Sequence, residues 1–161
     1  MDTQYISVFK VHEYVTDAPP STVGIQDRII AQKVIYLANE LGINCGDFIW
    51  SWYKKGPYSP ALTRVMYANQ TINADEMASY VLRDESKQAL KPLREITNNK
   101  PKEIRIHDWL ELLASVHYIF WYWKCKDYNH VANELILQKP RFSREQVKVA
   151  YYAMDKYGFL T

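Results

Sequence analysis

The sequence predicts a mainly α-helical fold with a small β element, an α+β arrangement. Apolar residues recur at three- and four-residue spacing through most of the chain, one short aromatic stretch alternates, and capping residues and glycines separate the periodic segments. Its 161 residues, 48% of them hydrophobic, suffice for one domain with one sizeable core.

Residues 1–20 form a variable N-terminal segment, because "YISVFKVHEYV" fits neither strict alternation nor a clean helical stripe, and "DAPPST" then breaks the chain. Ile30, Val34, Leu37 and Leu41 fall at helical spacing before Gly42, which predicts a helix from about Gln26 to Leu41. Phe48, Trp50 and Trp52 alternate with Ile49, Ser51 and Tyr53, a pattern that suits a strand with an aromatic face, ended by Gly56-Pro57. Ser59 is placed to cap a helix from Pro60 to Asn69, in which proline at the first position loses no hydrogen bond.

"YVL" at 80–82 reads as a short strand, and Leu90, Leu93 and Ile96 share one face of a charged helix that Pro92 weakens. "TNNKPK" is a loop joining a helix-strand-turn-helix half, residues 21–100, to a helical half, residues 101–161. Asp108 and Glu111 match a capping pattern, followed by Trp109, Leu113, Val116, Phe120 and Trp123 on a central helix. A further helix runs from near Tyr128 to Gln138 and stops at Lys139-Pro140. Ser143 and Gln146 form a capping box for the last helix, whose stripe is Val147, Ala150, Tyr151, Met154 and Tyr157 and whose end is Gly158.

Composition narrows the function. Net charge is +2, too small to announce a nucleic-acid partner. The longest apolar run, "WLELLASVHYIFWYW", carries Glu111 and His117, which argues against a membrane span, and the start lacks a basic region leading into an apolar run, so a cytoplasmic location is expected. Cys45 and Cys125 form no CxxC motif and read as reduced and buried. No HExxH, GxSxG, GxGxxG or P-loop pattern occurs, and His12, His107, His117 and His130 lack metal-ligand spacing with one another or with a cysteine. His117 reads as a hydrogen-bonded core or boundary imidazole. No catalytic residue, metal site or cofactor is assigned.

The richest local signal is "SWYKKGPYSPAL", residues 51–62. Phe48, Trp50 and Trp52 read as core, whereas Tyr53 and Tyr58 flanking "KKGP" combine rigid amphipathic rings with long cations, a mixture common at protein contact sites. The candidate partner-binding residues are therefore Tyr53, Lys54, Lys55, Tyr58 and Arg64. The same stretch can be arranged as a winged-helix-like half, with the Pro60–Asn69 helix and Arg64 entering a DNA groove and Lys54 and Lys55 on phosphates. That helix shows few polar side chains, and a solvated lysine surface is the simpler account.

"AQKVIYLANELG", "IWSWYKKGPYSPAL", "WLELLASVHYI" and "KPRFSREQVKVAYYAMDKYGFL" resemble segments of the YwgA-like proteins and, more distantly, of the Panacea (SocA-like) antitoxin and phage-associated proteins. The likeness rests on the pair Gln32-Lys33 and on a Y-x-x-GP-x-S turn formed by Tyr53, Gly56, Pro57 and Ser59, and it covers most of residues 25–160. The resemblance implies a small helical cytoplasmic protein without a cofactor. In the Panacea group it implies neutralisation of a toxin by direct protein binding. The expectation is thus a non-enzymatic, antitoxin-like or phage-associated module that binds a protein partner, a toxin or a phage or host protein, with a DNA-binding regulator as the alternative. Gly56, Pro57 and Ser59 have a structural purpose under either reading: a permissive backbone position, a fixed dihedral and a helix cap.

Overall fold

A computed structural model describes residues 3–72 and 74–161. Among them the elements run α1 (Thr3–Thr16), α2 (Ile25–Glu40), β1 (Ser51–Tyr53), β2 (Gly56–Tyr58), α3 (Pro60–Ala68), α4 (Ala74–Met77), α5 (Asp84–Asn98), α6 (Ile106–Trp121), α7 (Tyr128–Gln138) and α8 (Arg144–Lys156). The mainly helical α+β expectation holds. No described helix is long and apolar enough to cross a membrane.

α6 is the central element, packed against α2, α5, α7, α8 and the hairpin. Its core residues Trp109, Leu110, Leu112, Leu113, Val116 and Ile119 are all buried, so its burial reaches around the helix beyond a single stripe. α2 lies alongside with Ala31, Val34, Ile35 and Leu37 inside. α2 and α8 stop close to where the apolar spacing ends, whereas α6 stops at Trp121 and leaves Trp123 outside it. Gly42 and Gly158, just past α2 and α8, take positive φ values of 89° and 83°. The capping box of Ser143 and Gln146 opens α8, and Asp127 caps α7 through the His130 amide.

Several local expectations are corrected. The untyped N-terminal segment forms α1, a helix buried on two sides: Val8, Val11 and Val15 join the main core, while Tyr5 and Phe9 pack with Met77 in a second cluster. The aromatic stretch contributes only Ser51–Tyr53 to a strand. Gly56-Pro57 does not end the sheet but begins its second strand, paired antiparallel with Ser51↔Tyr58, Trp52↔Pro57 and Tyr53↔Gly56. "YVL" is not a strand; Val81 is exposed, and the only sheet of the described residues is the β1–β2 hairpin. Pro92 sits inside α5, which continues through it. A mid-helix proline costs about 3 kcal/mol, and burying Leu90, Leu93 and Ile96 at about 1.5–3 kcal/mol each outweighs that. Asp108 and Glu111 do not cap α6, because the helix starts earlier, after Arg105.

Phe48, Trp50 and Trp52 face inward as expected. The Trp50 ring meets Tyr36 edge-on at 5.4 Å, and Trp52 lies 4.7 Å from Trp123. Cys45 and Cys125 are buried free thiols. His117 is a buried imidazole whose Nδ1 lies 2.8 Å from the Tyr36 hydroxyl, and His12 Nδ1 lies 2.7 Å from the Ala18 carbonyl oxygen.

Burial lowers His12 and His117 to about 4 each. An unfolded imidazole titrates near about 6.5, so below that pH the unfolded chain binds protons that the native state refuses. Stability is therefore expected to fall as pH drops from about 6.5 toward about 4. His117→Gln, which keeps a hydrogen-bonding group for Tyr36, should reduce that fall. Urea unfolding midpoints at neutral and acidic pH measure both effects, and an unchanged acid slope in the variant would show that His117 does not carry the dependence.

Candidate functional site: a hairpin held by buried lysines

The hairpin tip is the two-residue turn Lys54-Lys55, after which Gly56 takes a φ of +92°. Neither lysine has a positive φ, so the glycine alone supplies the left-handed position that reverses the chain, as in a glycine bulge. Gly56 also packs tightly onto α6. A Cβ at that position would lie 2.8 Å from Ser115 Oγ.

Three buried side chains fix the hairpin from below. The Gln32 amide acts as a surrogate strand neighbour to Ser59: its Nε2 donates to the Ser59 carbonyl at 3.0 Å and its Oε1 accepts from the Ser59 amide at 2.9 Å. Lys33 Nζ donates to the Pro57 carbonyl at 2.6 Å. From the far end of α7, Lys139 Nζ donates to the Lys54 carbonyl at 2.5 Å. The residues Gln32, Lys33, Gly56, Pro57 and Ser59, read from the sequence as one motif, are thus brought together as partners in one contact.

Ser59 plays a different part from the one expected. It occupies the position before α3, but its hydroxyl makes no capping bond and is buried without a hydrogen-bond partner. Its backbone, held by Gln32, does the positioning. Thr63 Oγ1 bridges Gln32 Nε2 at 3.0 Å and the Tyr58 hydroxyl at 2.8 Å, tying the first turn of α3 to the strand.

The positive charge under the hairpin is balanced from α6. Glu111, fully buried, has Oε2 3.0 Å from Lys139 Nζ and Oε1 bonded to Arg141, which also reaches Asp108 Oδ1 at 2.8 Å. Lys139 further lies 5.0 Å from the centre of the Trp52 ring. Lys33 makes no ion pair among the described residues. Burial drives its ammonium down to about 7, with Glu111 pulling upward and Lys139 and Lys55 pushing further down. Lys139 is also lowered, again chiefly by burial.

Sequence reasoning missed Lys139, Glu111, Arg141 and Ser115. Lys139 read as a helix stop and Glu111 as half of a cap. The available signal was a carboxylate inside the apolar run of α6, which requires a buried cation from elsewhere in the chain.

Of the candidate contact residues, Tyr53, Lys54, Lys55 and Arg64 are exposed and Tyr58 is half-buried. The Tyr53 and Tyr58 rings lie 4.9 Å apart. Tyr53, Lys54 and Lys55 cluster at the tip, while Arg64 projects from α3. No group of three or more His, Cys, Asp or Glu side chains among the described residues is arranged to hold a metal ion.

Two substitutions test the anchoring. Gly56→Ala forces a strained φ and a clash with Ser115, and a loss of about 1–3 kcal/mol in urea unfolding is expected; adding Ser115→Ala should recover the steric part only. Glu111→Gln leaves Lys139 and Arg141 without their shared counter-charge, with an expected loss of about 3–5 kcal/mol that shrinks as rising pH removes protons from the buried ammonium groups. A loss below about 1 kcal/mol would mean the cluster does not stabilise the fold. No family model, curated protein or solved structure matches the chain.

Proposed function

We propose that the protein is a non-enzymatic binding module, antitoxin-like or phage-associated, which acts by docking the "YKKGPY" turn onto a protein partner. One observation carries the reading: the side chains of Tyr53, Lys54 and Lys55 face solvent from a backbone tied down at Lys54, Pro57 and Ser59. Holding the backbone in advance lowers the entropy lost on docking, and tyrosine is among the residues that dominate contact energetics. Tyr53 keeps about half of its surface, 49%, open to solvent while its ring lies tilted against that of Tyr58. The likeness of the Gln32-Lys33 and Y-x-x-GP-x-S residues to the YwgA-like and Panacea proteins supports the antitoxin-like form of this reading.

The test begins with affinity capture and identification of the bound protein, followed by titration with that protein in purified form. Tyr53→Ala combined with Lys54→Ala and Lys55→Ala leaves the Lys54 carbonyl in place, and Tyr58 is spared because its hydroxyl helps fix α3. The triple variant is expected to keep its circular dichroism spectrum and to lose at least about tenfold in affinity. A captured protein that arrests growth when produced alone, and not when co-produced with this chain, is the antitoxin-like outcome. Unchanged affinity in the folded variant overturns the assigned surface. Retention on duplex DNA that falls steeply with salt, and is lost in the same variant together with Arg64→Ala, would replace this reading by the DNA-binding alternative.

A further inference from the structure

Beside the hairpin, a half-open cleft of about 260 Å³ runs between the start of α2, β2 and α3. Its charged lining residues are Arg28, Lys33 and Lys55, and among the described residues no carboxylate lines it. Ile25, Ile29 and Tyr67 supply an apolar wall, with Ile25 and Tyr67 partly open at the rim. The polar residues Gln32, Tyr58 and Thr63 in the lining are already bonded to one another or to the backbone, so they shape the cleft without asking for a ligand.

Lys33 is different. Its side chain is 1% exposed, its ammonium donates to the Pro57 carbonyl, and it makes no ion pair among the described residues. The carboxylate that acts on it electrostatically, Glu111, has its two oxygens committed to Lys139 and Arg141. A buried cation without its own counter-charge is costly, and here it lines an opening whose other charges have the same sign. An anion entering the cleft would give Lys33 a counter-charge, with Lys55 at the exposed side and Arg28, whose guanidinium donates to the Thr22 carbonyl at 2.9 Å, adding to the attraction.

We propose that this cleft binds a small organic anion, a carboxylate or phosphate monoester joined to an apolar body. The charged group sits among Arg28, Lys33 and Lys55, and the body lies against Ile25, Ile29 and Tyr67. This site does not depend on the docking role of the turn, although Lys55 and Tyr58 belong to both.

The electrostatics give the proposal a signature. The groups facing Lys33 are Arg28 on α2, Lys55 and Tyr58 on the hairpin, Glu111 on α6, Lys139 after α7 and Tyr67 on α3. Glu111 is the one carboxylate in this set, and burial, with Lys139 and Lys55 adding to it, outweighs its pull and lowers Lys33 to about 7. An anion favours the protonated amine, so binding takes up a proton close to neutral pH and weakens as pH rises above about 7.

Benzoate and phenyl phosphate serve as probes, with benzamide and inorganic phosphate as controls, in calorimetric titrations of the full chain at several pH values. At least one phenyl anion is expected to bind about tenfold or more tightly than both controls, and the better of the two assigns the head group. Titration of the Lys33 side chain by NMR should show its pKa rising by about one unit or more at saturation, the shift that a tenfold preference for the charged amine requires. Arg28→Ala and Lys55→Ala, at positions outside the buried anchor, should each weaken the bound anion severalfold while the fold persists, which keeps the test decisive if Lys33→Met fails to fold. Binding of both phenyl anions no tighter than benzamide, an unmoved Lys33 titration at saturation, or no binding of either anion at about 10 mM overturns the proposal.

Discussion

Two ammonium groups placed under a short hairpin decide how this fold is put together. A pair of three-residue strands has too few ladder bonds and too little apolar surface to persist alone in water. Lys33 and Lys139 compensate by donating to carbonyls that the ladder leaves free, one in β2 and one at the tip. Charge burial of this kind is costly without counter-charge, and Glu111 supplies it to Lys139 from the most buried helix, while Lys33 rests on its bond to the Pro57 carbonyl. Gly56 closes the arrangement, because only a residue without a Cβ lets the strand settle onto Ser115.

Most of the helices were legible because their burial is one-sided or their ends carry strong signals. α7 and α8 show both, with Asp127 and Ser143 capping and their stripes facing α6. α1 was not legible for the opposite reason: it serves the main core with Val8, Val11 and Val15 and a second cluster with Tyr5 and Phe9, so its apolar residues do not trace a single stripe. "YVL" shows the converse error. β-branched and aromatic residues favour a strand only when a neighbouring strand exists to pair with, and none lies there among the described residues.

The site divides along similar lines. Gln32, Lys33, Gly56, Pro57 and Ser59 could be singled out as a set because their residue types are unusual in place: a polar pair inside an apolar helix, and a turn whose dihedrals are restricted. What they do to one another could not be read, since the Gln32–Ser59 and Lys33–Pro57 bonds span 27 and 24 residues. Lys139 and Glu111 were further out of reach. Each had a satisfactory local explanation, as a helix stop and as a cap, and only the three-dimensional arrangement shows that a long-range electrostatic requirement overrides both.

The aromatic side of the hairpin has an optical consequence. Two indoles, one from β1 and one from the segment after α6, sit 4.7 Å apart with their planes inclined by 51°. Chromophores this close and this tilted share their excited states, which gives a signed doublet in the far-ultraviolet dichroism and dims emission relative to separated rings. The molecule thus carries its own gauge of whether the ribbon is seated on the helical body, readable without a label and separable from the helical signal by substituting either indole.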